Sequence, residues 1–250
     1  KNHNEDKRSC GHAIHVSFTG ELRENQKKAV SELLRFDTGI LSAATAFGKT
    51  VTCSSIIAEK KVSTLILLES SALVEQWEKS LSKFLSISEE LPEYHTQTGR
   101  IKKLKSVIGI IQGSKDTSTG IIDIAMAGSL FKKGEPHSRL REYGMVIVDE
   151  CHHSASNTLS AVLKEITAKY VYGVTATPFR GDGLEKINYM LLGLSNYAQS
   201  RFIYLGEDSN GYICIPRGLL DVLKDRCHKS RIKNHNEDKR SCGHAIHVSF

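Results

Sequence analysis

The sequence predicts an α/β domain with a mostly parallel central sheet flanked by helices, together with a small accessory segment. Three observations carry that expectation. Short apolar runs such as Thr64 Leu65 Ile66 Leu67 Leu68 and Met145 Val146 Ile147 Val148 have the length and unbroken character of strands buried on both faces. Helical apolar spacing recurs between them, as in βαβ units. Two polar clusters, Gly48 Lys49 Thr50 and Asp149 Glu150, follow the ends of such runs about a hundred residues apart. Ligands in open α/β sheets gather at the carboxyl ends of strands.

The element order follows from the same patterns. An amphipathic helix is expected around Ala29, Val30, Leu33 and Leu34, opened by Thr19 or Gly20. A strand near Ile40 and Leu41 runs into the small-residue turn Ser42 Ala43 Ala44 Thr45 Ala46 Phe47 and then a helix beginning at Gly48, Lys49 and Thr50. That is the shape of a phosphate cradle, in which backbone N–H groups and the positive helix end surround a polyphosphate. A lysine ammonium there reaches the terminal phosphates, and a hydroxyl ligates Mg²⁺. The general pattern has glycine where Ala43 stands, so the stretch taken alone also fits a plain strand-to-helix turn. Further on, Leu73, Val74, Trp77, Leu81 and Phe84 mark a second helix, with Trp77 on its apolar stripe and therefore a core residue rather than a base-stacking platform. Strands follow near residues 107–111, 121–125 and 145–148, then a helix over 155–167 and a strand over 170–174. Asp149, emerging from its strand, is placed to hold Mg²⁺ directly or through water, and Glu150 to orient or deprotonate an attacking water. An acidic pair after a strand also fits a solvated loop; its order after Gly48–Lys49–Thr50 favours the phosphate site.

Together these residues resemble a known family. Gly48-Lys49-Thr50, Asp149-Glu150-Cys151-His152 and Thr175-Ala176-Thr177 are similar to motifs I, II and III of superfamily 2 helicases, which often carry alanine at the position of Ala43. The run over residues 173–183 and the doubled histidine His152 His153 most resemble the XPB-like and restriction-subunit-like DEAD/DEAH branch. The resemblance covers residues 19–193 and implies an N-terminal RecA-like domain using ATP and Mg²⁺. It implies catalytic roles for Lys49, Asp149 and Glu150, a nucleotide cradle of Thr45, Ala46, Phe47, Gly48, Lys49 and Thr50, and metal ligation by Thr50 and Asp149. Arg23 and Gln26 would form a Q-motif-like element, Gln26 reading adenine and Arg23 helping to hold it; a helix cap with an exposed glutamine fits equally. Ser70, Ser71 and Ser129 would contact nucleic-acid phosphates. Thr175 and Thr177 would couple that contact to the ATP site with His152 as a hydrogen-bond partner, although a core imidazole is the alternative for His152.

Composition is compatible with this. The net charge of +6 over 250 residues permits a nucleic-acid partner without requiring one. Neither a signal-peptide pattern nor an apolar run of ~18 residues is present, which leads to the expectation of a soluble, cytoplasmic protein without a membrane partner. Six cysteines, none in Cys-x-x-Cys spacing, read as reduced thiols. Cys10, His12 and His15 do not have the spacing of a standard zinc finger, and an alternating edge strand through Ala13 to Phe18 is the preferred reading. Lys102, Lys103, Lys105 and Lys115 form a solvated face or track a phosphate backbone.

Residues 1–18 and 233–250 are identical. Perfect short repeats without further copies are unusual, and residue 250 would continue naturally into Thr19. The expectation is a permuted, concatenated or engineered order. Residues 1–18 are then a linker and strand duplicated as 233–250, residues 19–193 the RecA-like domain, and residues 194–250 an accessory segment that would precede residue 19. The implied function is the ATP-binding first motor lobe of a nucleic-acid-dependent ATPase, a helicase or translocase with DNA favoured. It would be incomplete, and weakly active at most, without a second RecA-like lobe. The alternative is a non-translocating nucleotide-binding regulatory or remodelling module of a restriction or defence complex.

Overall fold

The apolar runs singled out above become neighbouring strands of one sheet in the computed structural model. It describes residues 8–95, 101–132, 134–151 and 157–176, and four strands beyond them. In chain order the first elements are β1 (Val16–Phe18), α1 (Glu24–Leu34), β2 (Thr38–Ser42), α2 (Lys49–Lys60), β3 (Thr64–Leu68), α3 (Ala72–Phe84) and β4 (Leu85–Ile87). A hairpin of β5 (Glu93–His95) and β6 (Ile101–Lys103) leads to β7 (Ile108–Gln112), β8 (Lys115–Asp116) and β9 (Ile122–Met126). A second hairpin, β10 (Phe131–Lys132) with β11 (Glu135–Pro136), precedes β12 (Met145–Asp149), α4 (Asn157–Glu165) and β13 (Tyr170–Thr175). The remaining strands are β14 (Phe202–Tyr204), β15 (Ile213–Cys214), β16 (Asn234–Lys239) and β17 (Gly243–Val248).

The central sheet has eight strands in the order β14-β2-β13-β12-β3-β9-β7-β8. Every neighbouring pair is parallel except β7 with β8. The mostly parallel sheet expected from the unbroken apolar runs is therefore present, and the reason is visible along β3. Ile66 and Leu68 face one core cluster with residues of α1, α2 and α3, while Leu65 and Leu67 face a second with Leu159 and Val162 of α4. Successive side chains alternate faces, so a strand covered on both sides must be apolar at every position. Each fully buried Leu or Ile contributes about 1.5–3 kcal/mol relative to exposure.

Helix α2 lies deepest, with every residue from Thr52 to Ala58 buried. Its hydroxyls turn back on the helix itself, Thr52 Oγ1 donating to Gly48 O (3.2 Å) and Ser54 Oγ to Thr50 O (2.9 Å), which leaves none of that pair unsatisfied in the core. The alternating edge strand near the start is also present. Ile14 and Val16 are buried while His15 and Ser17 are exposed, and β1 pairs antiparallel with β4.

The two identical segments take different partners. In the first, Ser9 bridges to Ala168, Ala13 to Val62, and β1 to β4. In the second, β16 and β17 pair with each other and β15 joins β17. The same sequence pairs with whichever backbone edge is available, so pairing here is decided by context and not by intrinsic preference. The segment read as accessory contributes its first described strand, β14, to the edge of the central sheet beside β2. Residues 1–7 of the expected linker and most of residues 177–233 lie outside the described residues.

Candidate nucleotide-binding site

Parallel strands bring their carboxyl ends to one rim. Thr175 pairs with Ser42, Asp149 with Val174, and Val148 with Leu67, so β2, β13, β12 and β3 end side by side. The turn after β2 carries Lys49, the end of β12 carries Asp149 and Glu150, and the end of β13 carries Thr175. Topology alone thus gathers residues from three distant stretches.

After β2 the chain makes one 3₁₀ turn, Thr45–Phe47, and enters α2 through Gly48 at φ +84°. That left-handed conformation suits glycine, and space demands it as well. A Cβ on Gly48 would stand 2.6 Å from Nε2 of Gln26. Gln26 donates from Nε2 to Phe47 O at 2.7 Å and accepts at Oε1 from the Arg23 N–H at 2.9 Å. Arg23 itself donates from Nη2 to Ala46 O at 3.2 Å and to Phe47 O. The first turn of α1 is therefore fastened to the turn at Ala46 and Phe47. Of the two sequence readings, the capping role of Gln26 is real, but the side chain is buried and not exposed. Its link to the loop escapes sequence reasoning because more than twenty residues separate them.

Lys49 opens α2 and extends back over the loop, its Nζ 3.4 Å from Ala43 O and 3.7 Å from Glu150 Oε1. Glu150 adopts φ +47°, an uncommon left-handed backbone for a non-glycine residue. Its side chain accepts from Thr175 Oγ1 at 3.5 Å. Its N–H donates to Asp149 Oδ1 at 2.9 Å, and the indole Nε1–H of Trp77 donates to Asp149 Oδ2 at 2.7 Å. Burial pushes the Asp149 carboxyl above its ordinary pKa; the Trp77 and Glu150 hydrogen bonds pull it back, Glu150's charge raises it and Lys49's lowers it. Trp77 is a core residue, as its apolar stripe indicates, yet it also reaches the acid, which sequence reasoning missed. The available signal was chemical: a buried indole N–H needs an acceptor. Cys53 and Cys151 lie nearby, and burial pushes both thiols far above the range of reactive cysteines.

The other expected residues divide by position. Ser70 and Ser71 are exposed just after β3 on the same rim, where their carbonyls accept from Leu73 and Val74 at the start of α3. Ser129 follows β9, and its Oγ accepts from the Gly113 N–H at 2.7 Å, tying the ends of β7 and β9 together. Thr50 lies in the first turn of α2 beside Lys49. Nothing is described of the Thr45 side chain, and His152 and Thr177 lie outside the described residues. The residues fit a nucleotide with a divalent cation in two respects. The start of α2 presents the backbone N–H groups that a helix leaves unpaired in its first turn, and the donor set combines a hydroxyl, carboxylates and an ammonium.

Comparison with known proteins agrees with this fold. Residues 19–180, more than half of the chain, match the family described as "Type III restriction enzyme, res subunit". Putative helicase 109L of Invertebrate iridescent virus 3 is 31% identical over 180 residues, covering 70% of this chain and 51% of that protein. The DNA 3'-5' translocase XPB2 of Sulfurisphaera tokodaii is 29% identical over 180 residues, covering 72% of this chain and 36% of that protein. The chain thus spans about half or less of these relatives. The Hef helicase domain of Pyrococcus furiosus superposes with a TM-score of 0.55 at 18% identity, over 76% of this chain and 39% of that one, a likeness of fold. Among the described residues no helix is long and apolar enough to cross a membrane. With its loop, acids and sheet order in place, the chain belongs to the type III restriction res-subunit family and has the RecA-like fold of superfamily 2 helicases, with sequence likeness to the XPB-like and restriction-like branch.

Proposed function

We propose that this lobe binds ATP with Mg²⁺ and, within its parent polypeptide, forms one half of a DNA-dependent ATPase that moves along or separates strands. The observation that carries the reading is the approach of Lys49 Nζ to Glu150 Oε1 at 3.7 Å on the carboxyl rim. An ammonium and an acid so placed can flank a terminal phosphate and the water that attacks it.

In this reading the loop over Thr45, Ala46, Phe47 and Gly48 offers backbone N–H groups to the phosphates, and Lys49 offsets the charge of the terminal phosphoryl oxygens. Thr50 and Asp149 would hold Mg²⁺, which neutralises charge on those oxygens when bound. Glu150, held by Thr175 Oγ1, orients the attacking water and takes its proton. Arg23 and Gln26 support the loop and approach the base. Ser70 and Ser71 at the exposed start of α3, with Ser129, meet nucleic-acid phosphates. Thr177 and His152 keep the coupling roles that the family resemblance implies. The preference for DNA draws on relatives such as the XPB2 translocase. A second RecA-like lobe supplies the arginines, and such a residue is worth about 10³–10⁵ in phosphoryl transfer, so this lobe alone hydrolyses ATP slowly if at all.

The test is a titration with a fluorescent ATP analogue, followed by ATPase assays of the parent protein with and without DNA. Lys49→Ala weakens binding about 10- to 100-fold, the value of charge-assisted hydrogen bonds, whereas Glu150→Gln keeps binding and stops hydrolysis. Unchanged affinity in Lys49→Ala would remove the ATP reading. Turnover indifferent to DNA would favour a regulatory module over a motor.

A further inference from the structure

The indole of Trp77 does more than fill space. It is 1% exposed, and its Nε1–H is aimed at Oδ2 of the acid that closes β12, at 2.7 Å. The other carboxylate oxygen, Oδ1, takes the Glu150 N–H at 2.9 Å. A carboxylate on a strand end is free to spin about its last bond unless both oxygens are held. Here one donor comes from the adjoining left-handed residue, at φ +47°, and the other from α3, seventy-two positions earlier in the chain. Simple satisfaction of a buried indole would need only one carbonyl acceptor.

We propose that Trp77 is a positioning residue: its indole N–H fixes the rotation of the Asp149 carboxylate, leaving one remaining lone pair on each oxygen oriented for a divalent cation. This rests on the ATP–Mg²⁺ reading of the site. Its chemistry is that of an outer partner that orients a metal-binding carboxylate, and loss of such partners lowers metal affinity about 10- to 100-fold. Helix α3 also begins beside Ser70 and Ser71, so the proposed phosphate contact and the acid's orienting donor ride on one rigid element.

Trp77→Phe removes the N–H and keeps an aromatic ring. Binding of the ATP analogue is measured across a Mg²⁺ titration and in EDTA. In the variant the Mg²⁺ concentration for half-maximal tightening rises about 10- to 100-fold, while binding in EDTA is unchanged. Identical Mg²⁺ dependence in the two proteins, or an equal loss with and without Mg²⁺, overturns the proposal and leaves the site reading standing. A wild-type protein whose nucleotide binding ignores Mg²⁺ overturns both. A measurement on the wild type stands apart from the variant's folding. Trp77 is the only tryptophan in the sequence, so one indole signal appears in a ¹H–¹⁵N spectrum of labelled protein. That signal exchanges slowly with solvent without metal, and moves when Mg²⁺ is added to the nucleotide-loaded protein. Rapid exchange, or a signal that Mg²⁺ leaves in place, overturns the positioning role.

Discussion

Two buried aspartates on one sheet show how similar placement serves different ends. Asp123 and Asp149 lie on β9 and β12, both neighbours of β3, and are 0% and 8% exposed. Asp123 sits near the start of its strand, where Oδ1 accepts from Thr119 N and Thr119 Oγ1 and Oδ2 from Gly120 N and Tyr143 OH, all at 2.6–3.0 Å. Three committed donors, and a Thr119 hydroxyl whose one proton is shared with Val107 O, serve the four acceptor sites of a carboxylate. Gly109 on the adjacent strand makes the room, since a Cβ there would stand 2.0 Å from Asp123 Oδ1. Asp149, at the opposite rim, has two donors among the described residues, Trp77 and Glu150. A saturated acid can only brace the fold; an acid with sites to spare can take a ligand.

The same substitution at both positions sharpens that contrast. Asparagine keeps one oxygen, so at Asp123 a backbone N–H is left facing an amide NH₂ and the neighbouring hydroxyl must turn its proton away. Asp123→Asn should cost about 3–5 kcal/mol in urea or thermal unfolding, with nucleotide affinity of the folded fraction unchanged. Asp149→Asn confronts a single donor and relieves the buried charge. Its stability should change by no more than about 1 kcal/mol, yet Mg²⁺-dependent nucleotide binding is lost. Equal stability losses at the two sites would break the distinction. An effect smaller than that of Asp123→Asn belongs to Tyr143→Phe, which removes one donor to Asp123 and should cost about 1–2 kcal/mol without altering nucleotide binding. Burial and the Asp123 carboxylate both push the Tyr143 phenol up, so it remains a donor at any working pH.

Sequence was most informative where chemistry is local. The unbroken strands, the Gly48-Lys49-Thr50 turn and the Asp149-Glu150 pair are read from neighbours along the chain, and the parallel topology then requires them to meet. It was least informative where a polar side chain finds a distant partner. Helical spacing correctly placed Trp77 in the core but carries no record of what lies beyond its indole nitrogen. Asp123 takes three of its donors from Thr119 and Gly120 close by along the chain, but its fourth, the Tyr143 hydroxyl, lies twenty positions away. Gln26 was ambiguous for the same reason, and the identical segments at residues 1–18 and 233–250 show the limit most clearly, since one string of residues takes two sets of strand partners.

The clasp of α1 on the loop has a mechanical consequence. A trans amide is a rigid plate whose oxygen and hydrogen point in opposite directions, and no cis bonds occur among the described residues. Pinning the Phe47 oxygen to Arg23 and Gln26 therefore turns the Gly48 hydrogen the other way, off α1. A helix lying behind the loop can thus set the aim of the amide that faces a guest molecule.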